Sequence, residues 1–311
     1  MQSTNSPAKI ISIINMKGGV GKTSLTKELG FFLSTARKKN ILFIDLDPQS
    51  NLTQSIFKKF DYISEDDISK DTKLQNLMDL EYLEGDEEKD PKFIQNRSLK
   101  QTKATIHNLF KNPKIDDVPK DDCILKINDN LSIMPGTLKS IFSERVSNIE
   151  NNLYNFIEKY SLDTEFDYIF IDCPPTYSNY TVAAFLASNY YITPMRPDAY
   201  SVLGIDMLYQ VIEEIKKIHK IYFKSKTLKA LGVVISELQP QNTGIKKQIE
   251  QIKDSTLLKQ LGIEFFENHF VYNPSIPKKA EYFIVDSYSQ TSEYIVTLVD
   301  ELERRINNAN D

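Results

Sequence analysis

The chain has 311 residues, 38 Lys and Arg against 43 Asp and Glu, a formal net charge of −5 and 41% apolar residues. That length suits one large α/β domain or two modest ones, and the composition excludes a disordered or collagen-like chain. No apolar run approaches the roughly 18 residues of a membrane helix, and the opening MQSTNSPAK lacks a signal-peptide core, so a soluble cytoplasmic protein is expected.

Lys9–Asn15 (KIISIIN) reads as a strand, Thr23–Ala36 as a helix, and Asn40–Asp45 (NILFID) as a second strand. Lys58–Lys103 then breaks the pattern. It is polar and without clear period, and Asp61 to Asp90 alone carry twelve acidic residues against three lysines. We read it as an acidic surface insertion, partly helical at most, within a single domain spanning 1–311. Beyond it come a helical stretch Thr137–Tyr160, strands Tyr168–Asp172 and Tyr190–Pro194, a helix Ser201–Ile221, a strand Ala230–Ser236 and a helix Thr243–Leu261. Continuous β-branched runs suit strands buried on both faces. Their alternation with helices predicts an α/β fold, a doubly wound and mostly parallel sheet with ligands at the carboxyl ends of its strands.

The strongest motif is Asn15-Met16-Lys17-Gly18-Gly19-Val20-Gly21-Lys22-Thr23-Ser24, between the first strand and the first helix. Glycines let successive N–H groups converge on a phosphate, and the helix behind points its positive end at the same anion. Lys22 is placed for the β- and γ-phosphates and the Thr23 hydroxyl for Mg²⁺. The strict GxxxxGK[ST] spacing is not met, because Met16 stands where the first glycine belongs. Two further strands end in acid. IDLDPQSN places Asp45 and Asp47 after the second strand, where a carboxylate orders water or a metal shell, although Asp47 also suits turn capping before Pro48. YIFIDCPP brings Asp172 to the sheet edge in the manner of a Walker B acid holding Mg²⁺ through water.

The run KGGVGKT resembles the deviant Walker A loop of the ParA/MinD group of P-loop ATPases, with Lys17 as its extra lysine. IDLDPQSN resembles that group's DxDPQGN motif, with Ser50 in place of the glycine. Pro174 and Pro175 match its switch segment, and the stretch from Tyr191 to Tyr200 resembles a further family segment in which Arg196 replaces a common glutamine. The likeness covers Lys9–Asn51 and Asp129–Ser287. Only eight residues precede the first strand, so the short type without a helix-turn-helix extension is expected.

The resemblance implies a slow, Mg²⁺-dependent ATPase in which two subunits sandwich two ATP molecules and Lys17 reaches the partner's phosphates. Lys17, Lys22 and Asp47 would be catalytic. Gly18, Gly19, Val20, Gly21, Lys22, Thr23 and Ser24 would hold phosphate, and Thr23, Asp45 and Asp172 would serve the metal. Asn273 and Pro274 would line the adenine pocket, an ordinary turn being the alternative there.

Three tasks compete for that ATP. Ile215 to Gln260 holds ten lysines against three acidic residues, which suits sequence-independent grip on DNA as well as a merely solvated helical face. On the first reading Lys246 and Lys247 lead, with Lys224, Lys226, Lys253 and Lys259 as further contacts. The protein would then partition DNA on the nucleoid, released when a centromere-binding ParB-type partner stimulates hydrolysis. A MinD-like membrane-associated positioning ATPase is the alternative, but the end EYIVTLVDELERRINNAND has an acidic, asparagine-rich tip and an apolar face suited to packing on the domain. A relative of the nitrogenase iron protein fails for want of paired cluster cysteines, as Cys123 and Cys173 share no motif. The three histidines are scattered.

Overall fold

The computed structural model describes residues 6–65, 99–112, 115–139, 149–198, 200–237, 243–271, 283–284 and 290–310. Its strands are β1 (Lys9–Ile13), β2 (Ile41–Asp45), β3 (Tyr62–Ser64), β4 (Lys100–Thr102), β5 (Leu125–Asn128), β6 (Leu131–Met134), β7 (Tyr168–Asp172), β8 (Tyr190–Met195), β9 (Lys229–Glu237) and β10 (Phe270–Val271). Among the described residues eight of these form one sheet in the order β10-β9-β8-β1-β7-β2-β6-β5. Every pair is parallel except β5 on β6. The expected α/β class and mostly parallel sheet are therefore present, with β1 and its following loop near the centre.

The continuous apolar strands are apolar because each face of the sheet has its own core. Ile10, Leu42, Ile44, Ile169 and Ile171 join one buried cluster, while their neighbours Ile11, Ile13, Ile41, Phe43 and Phe170 join the other. This is the two-residue alternation of a strand covered by helices on both sides. The Lys22–Thr35 helix lies so close to the sheet that a Cβ on Gly30 would sit 2.3 Å from the Phe43 ring. A third cluster of Met195, Ile205, Val233, Ile235, Ile249, Ile252 and Leu258 seats the Thr243–Lys253 and Thr256–Gln260 helices.

Several elements differ from the sequence reading. The helix expected over Thr243–Leu261 is two, interrupted at Asp254 and Ser255. Of the stretch Thr137–Tyr160, the described helix is Asn152–Lys159 after a 3₁₀ turn at Ile149–Asn151. The ends of the Lys58–Lys103 stretch are ordered structure: Lys58 to Phe60 close the Asn51–Phe60 helix, β3 pairs in parallel with β4, and Thr102 is buried. Its interior, 66–98, lies outside the described residues. The Asn179–Ala187 helix escaped because eight of its nine residues are buried, which erases the amphipathic period.

The C-terminal Gln290–Asn310 helix spends its apolar face on the domain, burying Ile295, Leu298, Val299, Leu302 and Ile306. Buried Glu301 on the same helix accepts the Glu267 and Asn268 N–H groups and the Arg305 Nε–H. Among the described residues no helix is long and apolar enough to cross a membrane.

Candidate functional site

The loop after β1 has the backbone geometry that a phosphate cradle requires. Gly19 and Gly21 take positive φ, 71° and 90°, which only glycine adopts cheaply, and Gly21 directly precedes the Lys22–Thr35 helix. The loop is braced from two neighbouring strands. Asn15, itself buried, donates to the Pro194 carbonyl at 2.9 Å and accepts the Lys17 N–H at 2.9 Å. Ser236 at the end of β9 donates to the Val20 carbonyl at 2.7 Å. Gly18 has open space where a Cβ would be, and Thr23 and Ser24 are at least partly exposed. The helix start therefore opens toward a ligand rather than into the core.

Lys22 points inward. Its ammonium donates to the Lys17 carbonyl at 3.1 Å and is buried beside Asp172 and Asp47. Burial lowers its pKa, and the two carboxylates oppose that shift. Parallel register sets Asp45 directly beside Asp172 on the neighbouring strand.

The three acids differ in their commitments. Asp45 is fully buried and engaged: one oxygen accepts the Asp47 N–H, the other the Thr53 N–H at 2.9 Å and the Thr53 hydroxyl at 2.7 Å. Burial pushes its carboxyl up to about 7, although the Thr53 hydrogen bonds pull it down. Gly136, whose N–H donates to Thr53 Oγ1, packs so tightly that a Cβ there would lie 2.8 Å from the Asp45 carboxyl carbon. Asp45 thus braces the start of the Asn51–Phe60 helix, with three hydrogen bonds on its two oxygens. Asp47 accepts the Gln49 N–H at 2.9 Å and shapes the turn to Ser50, which holds φ 54° where a glycine would sit without strain.

Asp172 is different. It is fully buried, yet among the described residues neither oxygen meets a partner in strict hydrogen-bonding geometry, the Thr23 hydroxyl being the nearest approach. Burial, then the charge of Asp45, raises its pKa well above the ordinary carboxylate range, against the pull of the Thr23 hydroxyl and Lys22. A buried carboxylate without a partner is costly. Asp172 and Asp47 both act on the Lys22 ammonium, while Asp45 acts on Asp172. Among the described residues no cluster of three His, Cys, Asp or Glu side chains is shaped to hold a metal by itself.

Lys17 points outward, toward Asp198 in the loop after β8, with which it forms an ion pair. The sequence reading gave Asp198 no role. The available signal was an acid three residues ahead of Ser201 and a helix, a capping pattern.

The basic residues are scattered in environment. Lys246 and Lys247 are exposed on the first turns of the Thr243–Lys253 helix, and Lys224 is exposed. Lys259 pairs with Asp254 at 2.9 Å, and Lys253 lies over the Phe265 ring. Lys226 is turned inward: its ammonium donates to the Leu186 and Ala187 carbonyls that end the Asn179–Ala187 helix, and burial brings its pKa down to about 8. This corrects the expectation of a solvent-facing contact there. Asn273 and Pro274 lie outside the described residues.

The model of the AAA domain family AAA_31 matches residues 8–225. The chain is 23% identical to the virulence plasmid ParA family protein pGP5-D of Chlamydia psittaci, over 96% of this chain and 95% of that one. It is 26% identical to the sporulation initiation inhibitor protein Soj of Bacillus subtilis, over 79% of each. A putative plasmid partition protein of Borrelia burgdorferi, solved with AMPPNP, superposes with a TM-score of 0.65 at 19% identity, covering 96% of this chain and 99% of that one.

Proposed function

The chain belongs to the ParA-type P-loop ATPases, and from that premise we propose that it is a Mg²⁺-dependent DNA-partitioning ATPase whose ATP-bound form is a DNA-binding dimer. The single observation that carries the nucleotide site is Asp172, buried at the end of β7 beside Lys22 and the glycine loop, with no partner in strict hydrogen-bonding geometry among the described residues. Lys22 and the loop N–H groups would bind the phosphates, while Thr23 and Asp172 would hold the metal, Asp172 through water. Bound Mg²⁺ supplies countercharge for the phosphate oxygens. Asp47 would orient the attacking water from its turn, with Asp45 and Thr53 holding that turn in place.

Self-association has its own support. Tyr200, Leu203 and Met207 lie on one face of the Ser201–Ile218 helix and its entry, next to the loop, and all three are more than half exposed. An apolar face of this kind suits a partner surface. Lys246 and Lys247 follow the carboxyl end of β9, on the same edge as the nucleotide loop, and exposed lysines there suit phosphate-backbone contact without sequence preference. A ParB-type protein would stimulate turnover. The membrane alternative gains nothing, because the C-terminal apolar face is buried.

The test is binding to random-sequence DNA and to anionic liposomes with ATP, ADP or no nucleotide. DNA binding confined to the ATP state is expected. ATP-dependent liposome binding without DNA binding would overturn the partitioning role.

A further inference from the structure

The two lysines of the phosphate loop are held differently. Lys22 is buried under the loop, whereas Lys17 leaves it and pairs with Asp198, 181 residues away. Both ends of that pair are fixed. The Lys17 N–H is tied through Asn15 to Pro194 on β8. The other Asp198 oxygen accepts the Tyr200 N–H and the Ser201 hydroxyl, each at 3.0 Å, which ties it to the entry of the Ser201–Ile218 helix. That helix comes in close: a Cβ on Gly204 would lie 3.9 Å from Lys17 Cβ and 3.5 Å from Asn15 Oδ1. The aspartate is thus a rigid receptor on one strand end for a flexible lysine on the next.

We propose that Asp198 is the resting partner of Lys17, holding it within its own chain until a triphosphate in a second copy displaces the carboxylate. This rests on the ATP-dimer reading and adds to it a positioning residue and a cost for closure. The cost is small. With side chains 32% and 37% exposed, such a pair biases an equilibrium by about five-fold at most. It therefore tunes closure and does not lock it. Burial alone would raise the Asp198 pKa, but Lys17, Ser201 and Tyr200 together hold it below the usual range, so the carboxylate stays charged at neutral pH.

Asp198→Asn keeps an oxygen for the Tyr200 N–H and removes the charge. Two readouts apply to it, to Ser201→Ala and to the parent, with turnover disabled by Asp47→Ala in all three. The first is acylation of Lys17 in nucleotide-free protein, followed by mass spectrometry. The second is the MgATP-driven dimer equilibrium by analytical ultracentrifugation. Asp198→Asn is expected to raise Lys17 labelling several-fold and to tighten the dimer by about five-fold per protomer, while Ser201→Ala leaves Lys17 labelling near the parent level. Unchanged labelling in Asp198→Asn, or a weaker dimer, overturns the proposal. If the parent fails to dimerise with MgATP while the labelling shifts as expected, the dimer reading fails and the lysine–aspartate pairing stands.

Discussion

The strand-end rim and the lysine-rich flank both carry many charges, and they treat them in opposite ways. At the rim, Lys22, Asp45 and Asp172 are buried, and among the described residues Asp172 has no partner in strict hydrogen-bonding geometry. On the flank, Lys246 and Lys247 stand in water. A buried charge must be offset by something, so its presence is evidence for a ligand. An exposed charge costs nothing to keep, so its presence is compatible with any task or none. The nucleotide half of the proposed function therefore has a physical warrant that the DNA half lacks.

The sharpest break comes from Lys22→Ala. It removes the buried cation beside Asp172 and Asp47, and titration with a fluorescent ATP analogue should show binding weakened by roughly 10- to 100-fold, the worth of a charged hydrogen bond in such a site. Unchanged affinity would mean that the buried charges answer to something other than phosphate. The flank is tested by Lys246→Glu with Lys247→Glu. ATP affinity should hold, while the slope of log K against log salt for random DNA falls by about 2, near 0.9 for each lost phosphate contact. A smaller effect, about 1 kcal/mol by thermal unfolding, is expected of Lys226→Ala, which deletes a helix C-terminal cap. DNA affinity should not move, and a drop would return Lys226 to the set of DNA contacts.

The sequence made the rim legible because its chemistry is local: strand, glycines, lysine and threonine are consecutive, and each acid closes a short apolar run. Asp45 shows the limit. Its place at a strand end is readable, but Thr53, which donates to it, and Gly136, which donates to Thr53, come from the next helix and from the loop after β6. Asp198 was out of reach because its partner belongs to a different strand end. Lys226 misled because a charge count gives every lysine equal weight, and the turn of one aliphatic stem under a helix end leaves no trace in composition. The two small strands at one side of the sheet were missed for a related reason. β5 and β6 are four residues each, too short to set a period.

The parallel pairing of β3 with β4 governs what evolution or an engineer can do with the stretch they enclose. Strands running the same way cannot be joined by a tight turn. The chain must travel back along its own length, which takes about a dozen residues at least. Lengthening is cheap by comparison, about 0.6 kcal/mol for each doubling of a flexible connection. This address on the molecule accepts additions readily and has a hard minimum size, so a deletion that spares the ATPase should stop short of closing the gap with a hairpin.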